Sequence, residues 1–406
     1  MAASTKAAAP KPPSLDSVLD YAWTVHDFTA TAAMASTGLT RSTTIDALDT
    51  LTAYGLLREL PNARETSAYR KGRPARRFEL REDAAVLLGV DAGRASVTVA
   101  VTDLRSRVLV RHRLTLDVDC DHARTRRRSL ITAVRDALAS AGRAQEDVLA
   151  VCVGVPAPVD AQGRSPQHHD GFWGRMNPDL VDAFAWAPLV RVENDASLAA
   201  IAEGTLGEAV GCRDYVSLLA GSRLGAGVVV DGRVLRGAHG GVGEMVAFCH
   251  VVGVGSADGL GTRAARLARE QLSRGEIAAD SALGRMSAEQ LDGRVVLELA
   301  AQGDDDALGI TERLGAVLAR IVSVLGSMFD PQLVVVSGAV SAGVEEVIAA
   351  ARRALSSDHH LPVPELVGSR LGADIVVMGA VAAASSTARE QVLSVWRQGR
   401  PTSDDR

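Results

Sequence analysis

The chain has 406 residues, a formal net charge of −5, and 47% hydrophobic, 23% charged and 3% aromatic residues. This balance is typical of a globular protein and excludes a fibrous or wholly disordered one. At about 100–200 residues per domain, the length predicts two or three domains. The sequence has neither an apolar stretch long enough for a membrane helix nor an apolar segment near its start that would serve as a secretory signal, so we expect a cytoplasmic protein.

Charge divides the chain into two parts. Residues 1–81 carry a net charge of +3, and the remainder carries −8. Five positive charges and no acidic residue fall within residues 70–77, RKGRPARR. A basic segment of this kind can contact a polyanion such as nucleic acid. We expect a basic head on an acidic body, with a disordered tail over 1–13 and a short tail over 401–406.

Two helices are predicted at the start of the head. The first begins at Ser14, an N-capping residue, and its apolar positions follow the spacing of one buried face: Leu15, Val18, Leu19, Ala22 and Val25. Thr29 can cap a short second helix over 30–36. Gly38 ends that helix, because glycine adopts a positive φ angle at little steric cost.

A third predicted helix has a polar first turn. Thr40 can cap it, its inward positions are Ile45, Leu48 and Leu51, and Gly55 stands where a helix-ending glycine is expected. Two helices joined by a short glycine turn predict a helix-turn-helix, in which the first turn of the second helix faces the bases. We therefore expect DNA contacts from Thr40, Arg41, Ser42, Thr43 and Thr44. Of these, Arg41 is the best candidate for reading a guanine.

The segment after Gly55 predicts a β-wing. Strands over 56–60 and 77–80 flank a polar loop, and Lys71, Arg73 and Arg76 are the expected DNA contacts within this segment. An arginine in the sequence GRP at 72–74 could enter a minor groove. The head is thus predicted to be a winged helix-turn-helix domain over residues 14–82.

The body, residues 83–400, contains two similar segments at 86–111 and 215–237, each predicting a strand, a glycine turn and two further strands. Two such hairpins facing one cleft are typical of the two-lobed actin-like ATPase architecture, which belongs to the α/β class. In this architecture a ribonuclease H-like fold is duplicated, once in each lobe. We place the lobes at about 83–195 and 196–380, with a C-terminal helix that packs back. The other predicted elements are a helix over 130–141, strands over 148–159 and 189–194, a helix over 307–328, a strand over 333–340, a helix over 344–355, a strand over 374–380 and a final helix.

From about residue 15 onward, the chain resembles the ROK family of sugar kinases and of transcription regulators that carry an added winged helix. The resemblance depends on five motifs: GLTRSTTIDALDTLTAYGLL at 38–57, GVPAPVD at 154–160, VENDASLAAIAEG at 192–204, VVVDGRVLRGAHGGVGE at 228–244 and FDPQLVVVSGAVSAG at 329–343. It implies that Asp195 matches the general base that kinase members use on a sugar hydroxyl, and that Asn194 hydrogen-bonds the sugar.

Both phosphate-binding turns of the kinase members are altered in this chain. The family pattern Asp-x-Gly-Gly-Thr reads DAGRA at 91–95, and the pattern Gly-Thr-Gly-x-Gly-x-Gly reads GSRLGAG at 221–227. Lost glycines oppose the close approach of backbone to a phosphate, so we expect no ATP and no other cofactor. Arg94 and Arg223 either hold another anion, such as a sugar phosphate, or are exposed loop residues.

The zinc site implied by the family is also missing. The four ligand positions read Ala247, Val252, Val254 and Gly259, so we expect no metal. A sugar-contacting glutamate of kinase members is replaced by Gly261. Three polar residues of the set remain, and we consider them candidates for effector binding: Asn194, Asp195 and Glu244. Alternatively, the Asn-Asp pair only caps a helix and Glu244 lies in a surface loop.

Three functions remain open from the sequence. The leading hypothesis is a DNA-binding transcription regulator, a repressor of carbohydrate-related genes, that binds a pseudo-palindromic operator as a homodimer or homotetramer and responds to a sugar or sugar phosphate. In this case the chain is not an enzyme, and Asp195 is a vestigial base. The alternatives are a sugar kinase that uses Asp195, or a regulator without an effector whose body only oligomerises.

Overall fold

The computed structural model describes residues 14–61, 75–117, 122–167, 170–338, 343–355 and 362–398. The head consists of α1 (Ser14–Thr24), β1 (Phe28–Thr29), α2 (Ala30–Thr37), α3 (Arg41–Ala53), β2 (Leu57–Leu60) and β3 (Arg77–Leu80). Its antiparallel strands pair in the order β1-β3-β2, and the three helices pack on this sheet through buried side chains that include Leu19, Leu48, Leu51 and Phe78. This is a winged helix-turn-helix, although strand β1 was not predicted from the sequence.

The first lobe is a five-stranded sheet of order β6-β5-β4-β7-β8. Its elements are β4 (Val86–Ala92), β5 (Ser96–Thr102), β6 (Val108–Thr115), α4 (Ala123–Ser140), β7 (Val148–Val155), α5 (Phe172–Met176), α6 (Leu180–Ala183) and β8 (Leu189–Asn194). Strands β4, β5 and β6 are antiparallel, whereas β4, β7 and β8 are parallel. The apolar run of β7 is buried along its whole length, as expected for a central parallel strand.

The second lobe repeats this arrangement with a sheet of order β11-β10-β9-β12-β13. Its elements are α7 (Asp195–Leu206), β9 (Tyr215–Leu219), β10 (Gly225–Val230), β11 (Arg233–Val234), α8 (Leu260–Arg274), α9 (Gly293–Ala301), α10 (Asp305–Phe329), β12 (Leu333–Ser337), α11 (Glu345–Ala354) and β13 (Glu365–Gly368). Again an antiparallel hairpin is followed by parallel strands. The predicted two-lobed, duplicated actin-like fold is confirmed.

The predicted strand over 374–380 is wrong, because residues 375–380 begin the last helix, α12 (Ile375–Arg397), and Asp374 ends the 3-10 turn before it. The helix packs on β4, β7 and α7, so its first turns are almost entirely apolar and give no amphipathic period. A short apolar run of this kind cannot be distinguished from a buried strand by periodicity. Gly89 allows the close packing, since a Cβ there would lie 2.6 Å from Val381 Cγ2. No described helix combines the length and apolarity needed to cross a membrane.

The head is attached to the body through α1 and α12. At the end of α1, the Arg105 guanidinium donates hydrogen bonds to the carbonyls of Trp23 (3.1 Å), Ala22 (3.2 Å) and Val25 (2.6 Å). The Trp23 indole in turn donates to the Leu104 carbonyl at 3.1 Å. Near the end of α12, Trp396 Nε1 donates a hydrogen bond to the carbonyl of Tyr54 at 2.9 Å. Helix α12, which lies against the first-lobe sheet, therefore also contacts the head.

Candidate functional site

The turn between α2 and α3 has the capping pattern predicted from the sequence. Thr29 caps α2 by accepting a hydrogen bond from the Ala32 amide at 3.2 Å, and Gly38 ends that helix with a φ angle of 69°. Thr40 caps α3 by accepting from the Thr43 amide at 3.4 Å. Because both caps hold backbone amides that a helix leaves unpaired, they fix the angle at which α3 starts.

The first turn of α3 presents part of the predicted reading surface. Thr40, Arg41 and Ser42 are exposed, and Thr43 is half-buried with its hydroxyl 2.9 Å from that of Thr40. Within the described ranges, the Arg41 guanidinium has no ion-pair or hydrogen-bond partner. The prediction that Thr44 contacts DNA is wrong, because Thr44 is fully buried and cannot reach a base edge. Its hydroxyl donates to the Thr40 carbonyl at 2.9 Å and so stabilises the start of the helix.

Of the predicted wing residues, Arg76 is described, and Lys71 and Arg73 lie outside the described residues. The Arg76 guanidinium pairs with Asp49 of α3 at 3.0 Å and with Glu59 of β2 at 2.8 Å. The hydrogen bond with Glu59 is the main cause that raises the pKa of Arg76 above its ordinary value. Arg76 therefore ties the base of the wing to α3, and its contact with DNA stays a prediction.

A cleft of about 910 Å³ brings together the three predicted effector residues. Asn194 stands at the end of β8, and its Oδ1 caps α7 by accepting from the Ser197 amide at 3.0 Å. Its Nδ2 donates to the Ala157 carbonyl and to Asp195 Oδ1, each at 3.2 Å. Asn194 thus performs the helix-capping role that was the structural alternative, and its effector contact stays a prediction.

Asp195 lies with two further carboxylates, Asp91 and Glu244, in the cleft. Its Oδ1 accepts from the Ala196 amide at 2.8 Å. Burial is the main cause that raises the pKa of Asp195 to about 7, and the negative charges of Asp91 and Glu244 raise it further. Burial also raises the pKa of Asp91 to about 6, against the lowering effect of Arg113 and Arg126. A carboxyl group with a pKa near neutrality can accept a hydrogen bond from a hydroxyl group when ionised, or donate one to it when protonated.

Two arginines occupy the turns that replace the phosphate loops. Arg94 follows β4 and Arg223 precedes β10, and both are exposed residues that line the cleft. The backbone of the Arg94 turn is fixed by Arg126, whose guanidinium donates hydrogen bonds to the carbonyls of Ala92 and Gly93. The sequence interpretation missed Arg126, although it stands four residues before the buried Leu130 on the inner face of α4.

The loop at the position of the family's zinc site is organised by an arginine. Buried Arg263 of α8 donates to the carbonyls of Asp258 (2.8 Å), Val254 (2.9 Å) and Ser256 (2.8 Å), and to the Ser256 hydroxyl (3.1 Å). In the described part of the chain, no three His, Cys, Asp or Glu side chains are grouped as a metal site would require. Arg263 was also missed, although its spacing from Leu260 and Ala264 places it on the buried face of α8.

Further cleft residues come from α5 and from Asp170 just before it. Trp173 is half-buried and lines the cleft beside Arg175. The Arg175 guanidinium donates to the Asp170 carbonyl at 2.6 Å and lies 5.9 Å from the centre of the Phe172 ring. Ile375 and Val376 also line the cleft, so the first residues of α12 face it.

Comparisons with known proteins find both regulators and kinases. A glucokinase of Streptomyces coelicolor is 25% identical over 317 residues, covering 72% of this chain and 95% of the relative. The DNA-binding transcriptional dual regulator NagC of Escherichia coli K12 is 26% identical over 268 residues, which cover 63% of each protein.

Solved structures give the same two groups of similar folds. A ROK family transcriptional regulator, homologous to the E. coli MLC protein, superposes with a TM-score of 0.73 at 20% identity, covering 95% of this chain and 98% of the other. A ROK family glucokinase from Streptomyces griseus, crystallised with glucose and AMPPNP, gives a TM-score of 0.59 at 24% identity, covering 74% of this chain and 100% of the other. The ROK family model itself matches residues 87–387, and the chain therefore belongs to the ROK family.

Proposed function

We propose that the chain is a transcriptional repressor of carbohydrate-related genes that binds a pseudo-palindromic operator as a homodimer or homotetramer. The observation that carries this proposal is the exposed, polar start of α3, where Arg41 has no partner among the described residues. The body to which this head is attached contains Arg94 and Arg223 in its phosphate turns. The likeness to NagC and to the MLC homologue supports it. Two reading helices in a symmetric dimer would match half-sites roughly 34–36 Å apart.

The cleft is proposed to bind a sugar or sugar phosphate as effector. Asp195 and Glu244 offer carboxylates to hydroxyl groups, and Asn194 stands beside them. Helix α12 supplies a route to the head, since Ile375 lines the cleft and Trp396 hydrogen-bonds the head through the carbonyl of Tyr54. An effector that binds one closure state of the lobes more tightly than the other would shift the position of α12 and thereby the operator affinity.

The test is affinity selection of sheared genomic DNA by the full chain at a stated, physiological salt concentration, followed by a search for an inverted repeat. We expect Arg41→Ala to abolish the preference for the selected repeat, at a cost of about 1–3 kcal/mol for a lost bidentate base contact. Arg285→Ala removes the same charge from an exposed site outside the cleft and the head, and should leave the preference unchanged. Unchanged selectivity in Arg41→Ala would remove that residue from the reading surface.

The wing is tested by the salt dependence of binding. Neutralising Lys71 and Arg73 together should weaken binding to all DNA sequences. It should also reduce the slope of log affinity against log salt concentration by the amount expected for about two phosphate contacts. Arg76 is expected to behave differently, because its pairs with Asp49 and Glu59 orient the wing. An unaltered slope after the double change would show that the wing loop does not contact the DNA backbone.

A sugar kinase is the second candidate, favoured by Asp195, whose pKa of about 7 suits a general base. An assay of ADP release over a panel of sugars, with Asp195→Ala as the control, distinguishes the two functions. We expect no release above that of the control, since Arg94 and Arg223 stand where a nucleotide phosphate would need close backbone contact. Release that depends on Asp195 would refute the proposal that the chain lacks enzyme activity.

A further inference from the structure

A second pocket of the first lobe lies apart from the cleft between the lobes. It has a volume of about 500 Å³ and shares no lining residue with the cleft. Helix α5 borders both, since Phe172 and Trp173 line the cleft, whereas Gly174 and the C-capping Asn177 line the pocket. A volume of this size suits a small molecule.

Three arginines from two segments of the first lobe line this pocket. Arg124 and Arg127 stand at the start of α4, and Arg164 stands in the loop that follows β7. Arg124 and Arg164 are exposed, and neither side chain has a hydrogen bond or an ion pair within the described ranges. Arg127 donates a hydrogen bond to the Pro178 carbonyl that is long, at 3.5 Å. Three guanidinium groups with so few partners attract an anion.

The N-terminus of α4 adds to this positive potential. The helix runs for 18 residues from Ala123, which also lines the pocket. Its N-cap residue, His122, makes no capping hydrogen bond with its side chain. Because the N-terminal end of a helix carries a partial positive charge, it favours an anionic group nearby. The positive charge of the pocket therefore comes from the backbone as well as from side chains.

The pocket also offers hydrogen-bond acceptors. Asn177 is only 8% exposed, and its Oδ1 has no hydrogen-bond partner among the described residues. A buried polar atom without a partner is uncommon in folded proteins and indicates a missing ligand or water. Asp179 and Asp182 line the same pocket, and in the described ranges neither carboxylate pairs with an arginine. Acceptors beside arginines fit a ligand that carries hydroxyl or amino groups as well as an anionic group.

The loop that carries Arg164 is fixed by its own hydrogen bonds. Asp160 Oδ1 accepts a hydrogen bond from the Arg164 amide at 2.9 Å. Asn177 Nδ2 donates to the Gly163 carbonyl and to the Ser165 hydroxyl, both at 3.0 Å. A loop that is already ordered loses little conformational entropy when a ligand binds.

Helix α4 connects the pocket with the cleft. Arg126, which stands between Arg124 and Arg127 along the helix, is buried and donates hydrogen bonds to the carbonyls of Ala92 and Gly93 in a turn of the cleft. The start of α4 therefore lines the pocket with two arginines and fixes a turn of the cleft with a third.

We propose that this pocket is a second ligand site, which binds a small phosphate monoester. The phosphoryl group lies at the three arginines, and the hydroxyl or amino groups of the ligand lie at Asp179 and Asp182. A phosphoryl group with nearly two negative charges suits three arginines and a helix N-terminus better than a carboxylate with one. Binding acts on the cleft through α4. The site is independent of the effector role of the cleft and of operator binding, because it shares no residue with either surface.

Isothermal titration of the full chain with glycerol 3-phosphate, at constant ionic strength set with chloride, tests the site. Arg124→Gln and Arg164→Gln should each weaken binding roughly tenfold, because each removes charged hydrogen-bond donors to the phosphoryl group. Arg128→Gln is the matched control, since Arg128 is an exposed arginine of the same helix outside the pocket. Arg94→Gln is the control for the cleft, and both controls should keep the wild-type affinity. Absence of binding, or equal affinity in the wild type and the double variant Arg124→Gln/Arg164→Gln, would overturn the site.

Two further ligands test the chemical class. Methyl phosphate has no hydroxyl group and should bind more weakly than glycerol 3-phosphate, and Asp182→Ala should reduce the difference. Glycerate has a carboxylate in place of the phosphoryl group and should also bind more weakly. Methyl phosphate or glycerate that binds as tightly as glycerol 3-phosphate would overturn the assignment of a phosphate monoester with donor groups.

Operator selection and hydrogen exchange are separate readouts. The double variant should lose glycerol 3-phosphate binding and keep operator selection. Loss of selection without any ligand present would show that these arginines contact DNA, and would overturn the small-molecule site. A wild-type chain that binds the ligand but selects no repeat would refute the proposed function and leave the pocket standing. Bound ligand should slow hydrogen exchange over residues 92–95, and an unchanged rate there would contradict the action through α4.

Discussion

Arg263 gives the sharpest test of how the loop over residues 249–259 is held. Arg263→Met keeps an unbranched side chain of similar reach but removes donors to the carbonyls of Val254, Ser256 and Asp258. A buried polar group left without a partner costs about 1–3 kcal/mol. The bond to Val254 is buried and the other two are partly buried, so the lower end of that range applies to Ser256 and Asp258. Burial, which lowers the pKa of Arg263, offsets part of the loss, and the net cost is about 2–4 kcal/mol.

The loss should appear as local opening of residues 249–259. The amides of Val254 and Gly255 both donate to the Val251 carbonyl, at 3.0 and 3.1 Å, and the Gly259 amide donates to Ser222 at 3.0 Å. At about 1.36 kcal/mol for each tenfold change, hydrogen exchange at these amides should accelerate by roughly 30- to 1000-fold in Arg263→Met. Hydrogen exchange measured by mass spectrometry on the full chain resolves this loop from the rest of the lobe.

The matched control is Arg266→Met on the same helix. The Arg266 side chain is 50% exposed and lies 4.0 Å from Glu270, so its pair contributes little. We expect exchange in the 249–259 loop to stay within about twofold of the wild type, since the control breaks no bond to that loop. Equal exchange in the two variants, or a chelator that loosens the wild-type loop as much as Arg263→Met does, would refute the idea that this arginine organises the loop.

Three further predictions concern protonation, metal content and attachment of the head. The pKa of Asp195 rises from 3.8 to about 7 on folding, so the folded chain holds a proton that the unfolded chain loses, and Asp195 costs stability as the pH rises through that interval. Between pH 3.8 and pH 8, the unfolding free energy of Asp195→Asn should therefore rise relative to that of the wild type by up to about 4 kcal/mol. A difference between the two proteins that does not depend on pH would contradict this. Elemental analysis should find no stoichiometric zinc; one zinc per chain would overturn the interpretation of Val252 and Val254. Arg105→Ala should accelerate hydrogen exchange in the last turn of α1 at least tenfold, whereas an unchanged rate would show that its three carbonyl contacts are dispensable.

The parts of the fold that depend on local chemistry were predictable from the sequence. Thr29, Gly38 and Thr40 were predicted as caps and serve as caps, because a helix end is decided by the few residues beside it. The duplicated hairpins were recognised because each copy repeats the same order of strand and glycine turn. In each case the signal lies within about ten residues of the feature that it predicts.

The parts that depend on distant contacts were missed or misread. The helix start at 375–380 resembled a strand because α7 and the first-lobe sheet surround it, and no amphipathic face remains. Thr44 is predicted to contact DNA because the spacing of polar residues does not show that its side chain is buried. Arg126 and Arg263 carried a usable signal, since each interrupts an apolar helix face, and a charge at such a position predicts a buried partner.

The substitutions in the phosphate turns, which we expect to oppose catalysis, are compatible with regulation. Phosphoryl transfer needs glycine turns that approach a nucleotide closely, whereas an effector needs only to bind the closed lobes more tightly than the open ones. A hundredfold difference in affinity between the two states is worth about 2.7 kcal/mol. Because Arg94 and Arg223 belong to different lobes and α12 runs from the cleft to the head, such closure would be transmitted to the reading helix without any chemical step.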